Sequence, residues 1–470
     1  MAAAIALPTV ARGAGMEVPE NGAYILARGG TSASMSGTAY SLQFNPAGLA
    51  DVENNDFRID ARLVKQNVTF KRENRDNNGV IVNFNTVSNA AYPFLAPSLM
   101  GAYRFETPAL QKFVFGFGVF GPPGVGKYKY PGPGNAYFKA REENMSASDV
   151  DAATGQRYSL ISNSNTILLP TIGLGWRPLK ELALGMSVSF VSATISFEQA
   201  IAGKSTGGFE STTADGIAEL EMKDSMKPTF AFGVLYSPLK NLTVGLTFKP
   251  PVKIEAKGDF KITPPAGMDF EQYSKAATLK LTLAPQTRLG ATYKWSRYSL
   301  SLEGVWQGWS AYKDLIIDAS EVKYSLSGKI GTVGVKTLPK NWQDSYGVRL
   351  GFTGDVIEQK QGGFGLQGHL GGLYETSAIP STSQAIDTVN GDRFGFSAGA
   401  TVAYGEFSAT LAGMIYPTVT ITSTDSEAKR SVADSKDPDD PPVYVGRGTY
   451  TSNVWIASLG IAYTPGKSAK

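Results

Sequence analysis

The residues that could do chemistry are few. The chain holds a single histidine, His369, and no cysteine. Thiolate nucleophiles, cysteine metal centres and paired-imidazole sites therefore have no residues to form on, and no cofactor is expected. A serine hydrolase built on His369 would need an orienting acid on the same patch, and a lone histidine fits that triad logic poorly. His369 alternates with the apolar set Leu366 and Leu370, so it is expected to face the lumen as a packing or hydrogen-bonding residue. A second set is charged: Arg58, Asp60, Arg62, Arg104, Arg288, Glu303, Arg349 and Arg393. These stand on alternating segments opposite the apolar residues. Charges on an enclosed face must pair, so they are expected to form an ion-pair network. One basic residue of the chain could instead receive a ligand carboxylate through a charge-assisted hydrogen bond, with Lys313 as a candidate. The run 425–442, with Asp434, Asp437, Asp439 and Asp440, reads as a solvated loop tip. A divalent-cation or lipopolysaccharide-bridging site is its other reading.

The elements that position these residues are strands. Leu242, Val244, Leu246 and Phe248 alternate with Thr243, Gly245, Thr247 and Lys249. Tyr346, Val348, Leu350 and Phe352 alternate with Gly347, Arg349, Gly351 and Thr353. Period-two alternation defines a face that wants an apolar surrounding and a face that accepts water or close packing. The 470 residues carry 52 glycines, 11% aromatics and no run long enough for an apolar membrane helix; mean hydropathy is −0.12. Barrels escape hydropathy because each strand faces lipid with every second residue only. The net charge of +3 gives no argument for a nucleic-acid partner.

Strands are expected at 57–70, 98–107, 113–121, 165–177, 182–198, 227–237, 242–257, 278–295, 297–310, 342–354, 362–375, 391–405, 406–422 and 451–464. The connections alternate short and long, with long gaps at 71–97, 122–164, 199–226, 258–277, 311–341, 376–390 and 423–450. Short turns on one rim and polar loops on the other are the mark of an up-and-down outer-membrane barrel. The expected fold is thus all-β: a 14-stranded antiparallel up-and-down transmembrane β-barrel over 57–464, followed by a tail at 465–470. Trp176, Trp306 and Trp455 near strand ends suit interfacial anchors. The apolar start, Ala2–Ala11 with Gly13 and Gly15 after it, reads as the remnant of a signal peptide over 1–15, or else as part of the segment that follows. Residues 16–56 lack strand pattern and cannot hold a core of their own. Inside the barrel they would form a hatch. Within them Asn45 before Pro46 suits a helix cap with proline at the first position.

From Asn45-Pro46-Ala47 onward the chain resembles the FadL-type long-chain fatty acid transporters of the outer membrane, whose relatives include importers of aromatic hydrocarbons. The resemblance continues in order through Pro97-Ser98-Leu99, Tyr103-Arg104, Phe115-Gly116-Phe117-Gly118-Val119 and Pro170-Thr171-Ile172-Gly173. It runs on through Gly245-Leu246-Thr247-Phe248, Gly258-Asp259-Phe260, Trp306, Trp309-Ser310 and Asn341-Trp342-Gln343-Asp344. Tyr374-Glu375-Thr376-Ser377 with Pro380, Asp392-Arg393-Phe394 and Ser397-Ala398-Gly399 complete it. It implies a hatch fixed by Asn45, Pro46 and Ala47, and an apolar pocket reached from outside. It also implies passive exit through a gap beside a kinked third strand, with Gly116 and Gly118 as the kink. Packing room for the hatch is the other reading of these glycines, since strand glycine also marks close backbone approach.

Trp309, Lys313 and Phe120 are the pocket candidates, and most of the charged set would tie hatch to wall. The expected function is passive uptake of a hydrophobic small molecule, fatty acid or aromatic hydrocarbon, by a non-enzymatic monomer set in outer-membrane lipid and lipopolysaccharide. A receptor or adhesin barrel acting through its long loops is the alternative. An apolar pocket between hatch and wall would separate the two.

Overall fold

The computed structural model describes residues 21–73, 83–121, 127–132, 146–202, 210–360, 362–387, 389, 391–429 and 443–466. The expected signal remnant, Pro122-Pro123-Gly124, Asp434 to Asp440 and the last four residues lie outside them.

Fourteen antiparallel strands close into a barrel. They are β1 (Asp56–Arg72), β2 (Phe94–Arg104), β3 (Phe113–Phe120), β4 (Ser162–Trp176), β5 (Leu182–Ile201) and β6 (Gly216–Leu239). Then come β7 (Leu242–Lys249 and Val252–Thr263), β8 (Ala276–Leu283 and Gln286–Trp295), β9 (Tyr298–Gln307 and Asp314–Leu326) and β10 (Lys329–Pro339 and Ser345–Ile357). The last four are β11 (Phe364–Glu375), β12 (Arg393–Tyr404), β13 (Phe407–Ser423) and β14 (Gly448–Tyr463). Each pairs with its sequence neighbour, and β14 returns to β1 in register from Phe57 opposite Tyr463 to Arg72 opposite Gly448. A closed ladder leaves no edge for lipid to meet.

The expected strands and the alternation of short and long connections are present. One long gap, 311–341, is not a loop. It holds the hairpin Asp314–Leu326 with Lys329–Pro339, which prolongs β9 and β10. Two expected strands are interrupted, one at Pro250-Pro251 and one at Ala284-Pro285, where proline has no N–H to give the ladder. The upper half of β6, from Gly216, also lay outside the expected strand.

The outer face explains these differences. On β14, Tyr463, Ile461, Leu459 and Trp455 point outward and are exposed, and above them stand Asn453 and Thr451. On β4 the outward series runs Trp176, Leu174, Ile172, Pro170 and Leu168, then Thr166 and Ser164. An apolar band thus ends at one height, as a bilayer requires. Above it the outward residues are charged, as in Lys253, Glu255, Lys257, Asp259 and Lys261 on β7. There the alternation inverts. Ile254, Ala256 and Phe260 on the same segment are buried, and they face inward. On β5 the large apolar residues hold even positions from Leu182 to Phe190, then odd positions from Val191 to Phe197. The band faces lipid; above it, the apolar face lines the inside.

Candidate functional site

The N-terminal residues fill the lumen at the height of the apolar band. They form a short helix α1 (Ala23–Ala27), a single turn α2 (Ser41–Phe44) and a 3-10 turn (Pro46–Asp51). Nearly every residue from Asn21 to Val52 is buried. The 3-10 turn starts as Asn45 and Pro46 suggest. Asn45 is extended, its Oδ1 accepts the Ala47 N–H at 3.1 Å, and Pro46 takes the first position. Asn45 Nδ2 also donates to the Ala33 carbonyl at 2.6 Å and to the wall carbonyl of Val234 at 3.2 Å. The box thus locks one turn of the segment to another and to β6.

The wall receives this segment on glycines. A Cβ on Gly185 would lie 2.2 Å from the Ala47 nitrogen, and one on Gly233 2.0 Å from Asn45 Oδ1. On Gly245 it would lie 1.9 Å from the Ala33 carbonyl oxygen, and on Gly371 2.0 Å from the Gly29 nitrogen. Such separations are far inside van der Waals contact, so only glycine lets the two backbones meet here. Gly116 belongs to the same belt, because its Cβ would meet Leu49 and Leu42 at 2.9 and 3.0 Å. β3 pairs without a register shift with β2 from Val114 to Phe120 and with β4 from Phe113 to Phe120, across both Gly116 and Gly118. The missing side chain at Gly116 makes room for leucines.

The charged set does join segment to wall. Arg288 pairs with Glu303 at 3.0 Å, and Glu303 accepts the N–H groups of Ser32 and Ala33 at 2.6 Å each. Arg349 pairs with Glu375 at 2.6 Å and donates to the Gly30 carbonyl at 3.3 Å. Arg393 takes the other oxygen of Glu375 at 2.8 Å. Asp60 accepts from the Ala23 N–H and the Tyr40 hydroxyl, both at 2.8 Å. Arg58 pairs with Asp56 and lies over the Tyr40 ring. Arg104 donates to the Ala50 carbonyl at 2.7 Å. Arg62 is fully buried on β1. Buried charges with this many partners hold a geometry, since losing one partner strands the other in a medium of low dielectric. Glu375 is the hub that the charged set omitted; it appeared only inside a motif.

Above the segment lies a cavity of about 1020 Å³. Its walls are the inverted upper faces of the strands: Phe197 on β5, Leu220 on β6, Phe260 on β7, Leu279 on β8, Ile317 on β9 and Leu338 on β10. Lys336 and Arg393 add charge, and Asn163, Asn165 and Gln66 add neutral polar groups. The pocket candidates fall beside it. Trp309 is buried against Trp342 and Tyr312, ring centroids 5.2 Å apart for the tryptophans, and Tyr312 lines the cavity in its place. Lys313 is exposed and does not line the cavity. Phe120 is buried in the cluster around Leu42 and Leu49. His369 holds a threonine hydroxyl on each ring nitrogen, Thr353 at 2.9 Å and Thr401 at 2.8 Å, and packs edge-on to Tyr24. The signal that would have found the cavity is the phase flip within β5. It is invisible to a search for alternation alone.

Among the described residues the wall is interrupted beside the cavity. β3 pairs with Ser98 and Leu169 at Phe120 and ends there. β2 continues to Phe94 and β4 to Ser162. Among the described residues only Tyr128 and Lys129 pair with the far end of β4, at Asn163 and Ser162. Phe94 and Asn165, at the margins of this interruption, both line the cavity.

A closed barrel with an apolar outer band, a filled lumen and a cavity at the long-loop end of its strands defines an outer-membrane transport barrel. The chain belongs to the outer membrane protein transport family that includes OMPP1, FadL and TodX, whose profile matches residues 4–464. Its fold is that of a Pseudomonas aeruginosa FadL homologue, with a TM-score of 0.73 at 15% identity over 96% of this chain and 100% of the other. The Ralstonia pickettii toluene transporter TbuX matches with a TM-score of 0.63 at 13% identity, over 95% and 99% of the two chains. The Pseudomonas putida toluene transporter TodX also gives 0.63, at 14% identity over 96% and 99%. Comparison with curated protein sequences returns no match.

Proposed function

We propose that this barrel takes up long-chain apolar or amphipathic molecules passively across the outer membrane. The observation that carries the reading is the cavity of about 1020 Å³ with a mainly apolar lining above the buried N-terminal segment. Transfer of apolar ligand surface out of water is the driving force. The ligand enters from the long-loop rim, and residues 21–55 act as a hatch that blocks the straight path below. Release is sideways, at the interruption above Phe120, where outward Leu95 and Leu168 already face lipid. The glycine belt and the ion pairs support this route, because they oppose wholesale removal of the hatch. Lipid and lipopolysaccharide surround a monomer.

A single benzene ring is held by a cavity of roughly 150 Å³. The far larger volume here favours a long-chain ligand such as a fatty acid over a monoaromatic hydrocarbon. The apolar lining also favours transport over a receptor acting through its loops. The test is uptake by a deletion strain given oleate or toluene. Loss of oleate uptake, restored by the gene, is expected. Unchanged uptake of both, with purified protein that retains no apolar ligand, overturns the reading.

A further inference from the structure

The outward face above the apolar band is not uniform around the barrel. On β4, β13 and β14 it carries Thr166 and Ser164, Thr420 and Thr422, and Asn453 and Thr451. On β1 it carries Lys65, which donates to the carbonyls of Asn89 and Ala91. On β6, β7 and β8, neighbours in the wall, the first charged outward residue above the band is a lysine each time: Lys223, Lys253 and Lys280. Lys257 is a fourth, directly opposite Lys223. The register sets Lys253, Lys280 (opposite Glu255) and Lys223 along a stretch of β7 from 253 to 257, about 13 Å of strand. Below them Phe230, Phe232 and Phe248 point outward into the band. Phe232 stands directly opposite Phe248, and the rings of Phe230 and Phe232 stack 6.4 Å apart.

The acids nearby do not consume these lysines. Lys280 lies 3.6 Å from Glu255 and Lys223 3.7 Å from Glu221, with all four side chains largely exposed. Exposed pairs of this kind contribute little. Lys253 and Lys257 form no ion pair among the described residues. Like charges directly opposite, as Lys223 and Lys257 are, weaken a ladder, and an anion between them removes the repulsion. Glu221 and Asp259 face each other one outward position higher. We infer that the outer face of β6 to β8 binds one molecule of lipopolysaccharide. Its acyl chains lie on Phe230, Phe232 and Phe248, and its headgroup phosphates sit on Lys223, Lys253, Lys257 and Lys280. Lysine binds phosphate as a point charge, and a basic cluster at the edge of an apolar belt recognises a phosphorylated headgroup. Four lysines spread over three strands fit a headgroup with two phosphates better than a phospholipid with one. The site deepens the reading above, in which lipopolysaccharide surrounds the barrel, and is independent of the cargo.

The experiment is titration of the full-length barrel in non-ionic detergent with bisphosphorylated lipid A, read by native mass spectrometry. One lipid A is expected to bind, more weakly as salt rises. The triple variant Lys223→Gln, Lys253→Gln and Lys280→Gln should lower that affinity on the order of a hundredfold. The control variant Lys180→Gln, Lys240→Gln and Lys294→Gln removes the same charge at the short-turn rim and should leave it unchanged. Heat-modifiable gel mobility verifies the folded barrel. Lys253→Gln alone, expected to bind about fivefold more weakly, replaces the triple variant should that fail to fold. Unchanged affinity in the lysine variants, an equal loss in the control, or displacement of lipid A by equimolar phosphatidylglycerol overturns the site. Oleate uptake is read separately, so loss of the site leaves the transport reading standing, and loss of that reading leaves the site standing.

Discussion

The Glu303 carboxylate accepts the backbone N–H of Ser32 at 2.6 Å, joining two residues 271 positions apart in the chain. The same oxygen takes the N–H of Ala33, and the other oxygen holds Arg288. One wall side chain thus fixes a turn of the N-terminal segment and neutralises a buried cation. Glu303→Gln leaves Arg288 without its counter-charge and should destabilise the barrel by about 3–5 kcal/mol. Urea unfolding in detergent measures this, and an unchanged midpoint would refute the role given to the pair.

Two neighbouring glycines on β11 separate close approach from mere flexibility. Gly371 faces the segment, where a Cβ would lie 2.0 Å from the Gly29 nitrogen; Gly372 faces outward, and its nearest atom is the Gly395 oxygen at 3.9 Å. Gly371→Ala should cost about 1–3 kcal/mol by overpacking and make residues 21–52 accessible to protease. Gly372→Ala should stay within about 0.5 kcal/mol of the parent. Equal effects from the two would remove the belt from the account.

Asn45 serves three backbone groups with one carboxamide. Asn45→Ala strands the Ala33 carbonyl, Val234 carbonyl and Ala47 N–H, with an expected loss of about 1–3 kcal/mol. Asn45→Asp keeps the acceptor for Ala47 and loses both donations, so it should not rescue. Full rescue by aspartate, read from thermal unfolding, would mean that capping alone matters.

Phe197 lines the cavity above the buried N-terminal segment. Phe197→Asp sets a charge in the apolar wall, which burial of an unpaired carboxylate opposes, and apolar ligand affinity should fall about tenfold or more. Phe197→Leu keeps an apolar side chain and should retain binding. Fluorescent fatty acid titration of both variants decides whether this chamber is where the ligand sits.

Much of the site's frame is readable along the chain because it is local. The turn at Asn45-Pro46 forms from two adjacent residues, and the inward set from Arg58 to Arg393 follows from strand parity. Parity misled in one respect. Alternation alone makes every apolar face a lipid face, which turns part of the upper strands, with charged outward residues from Lys253 to Lys261, into loops. Trp309 is the pocket candidate by position, yet its neighbour Tyr312 reaches the cavity, since the 3-10 turn at Trp309–Ala311 rotates the chain.

The alternating strands, their number, the rhythm of their connections and the cap at Asn45 are legible in the amino-acid order alone. Each follows from a period or spacing within a few residues. Which charges pair, that Glu375 links Arg349 to Arg393, and that Gly185, Gly233, Gly245 and Gly371 meet one buried segment follow from the folded chain only. The ion pairs cross between neighbouring strands, and the glycine contacts join residues far apart in the chain. A strand's pattern states which side a residue faces, and the closed barrel determines what is on that side.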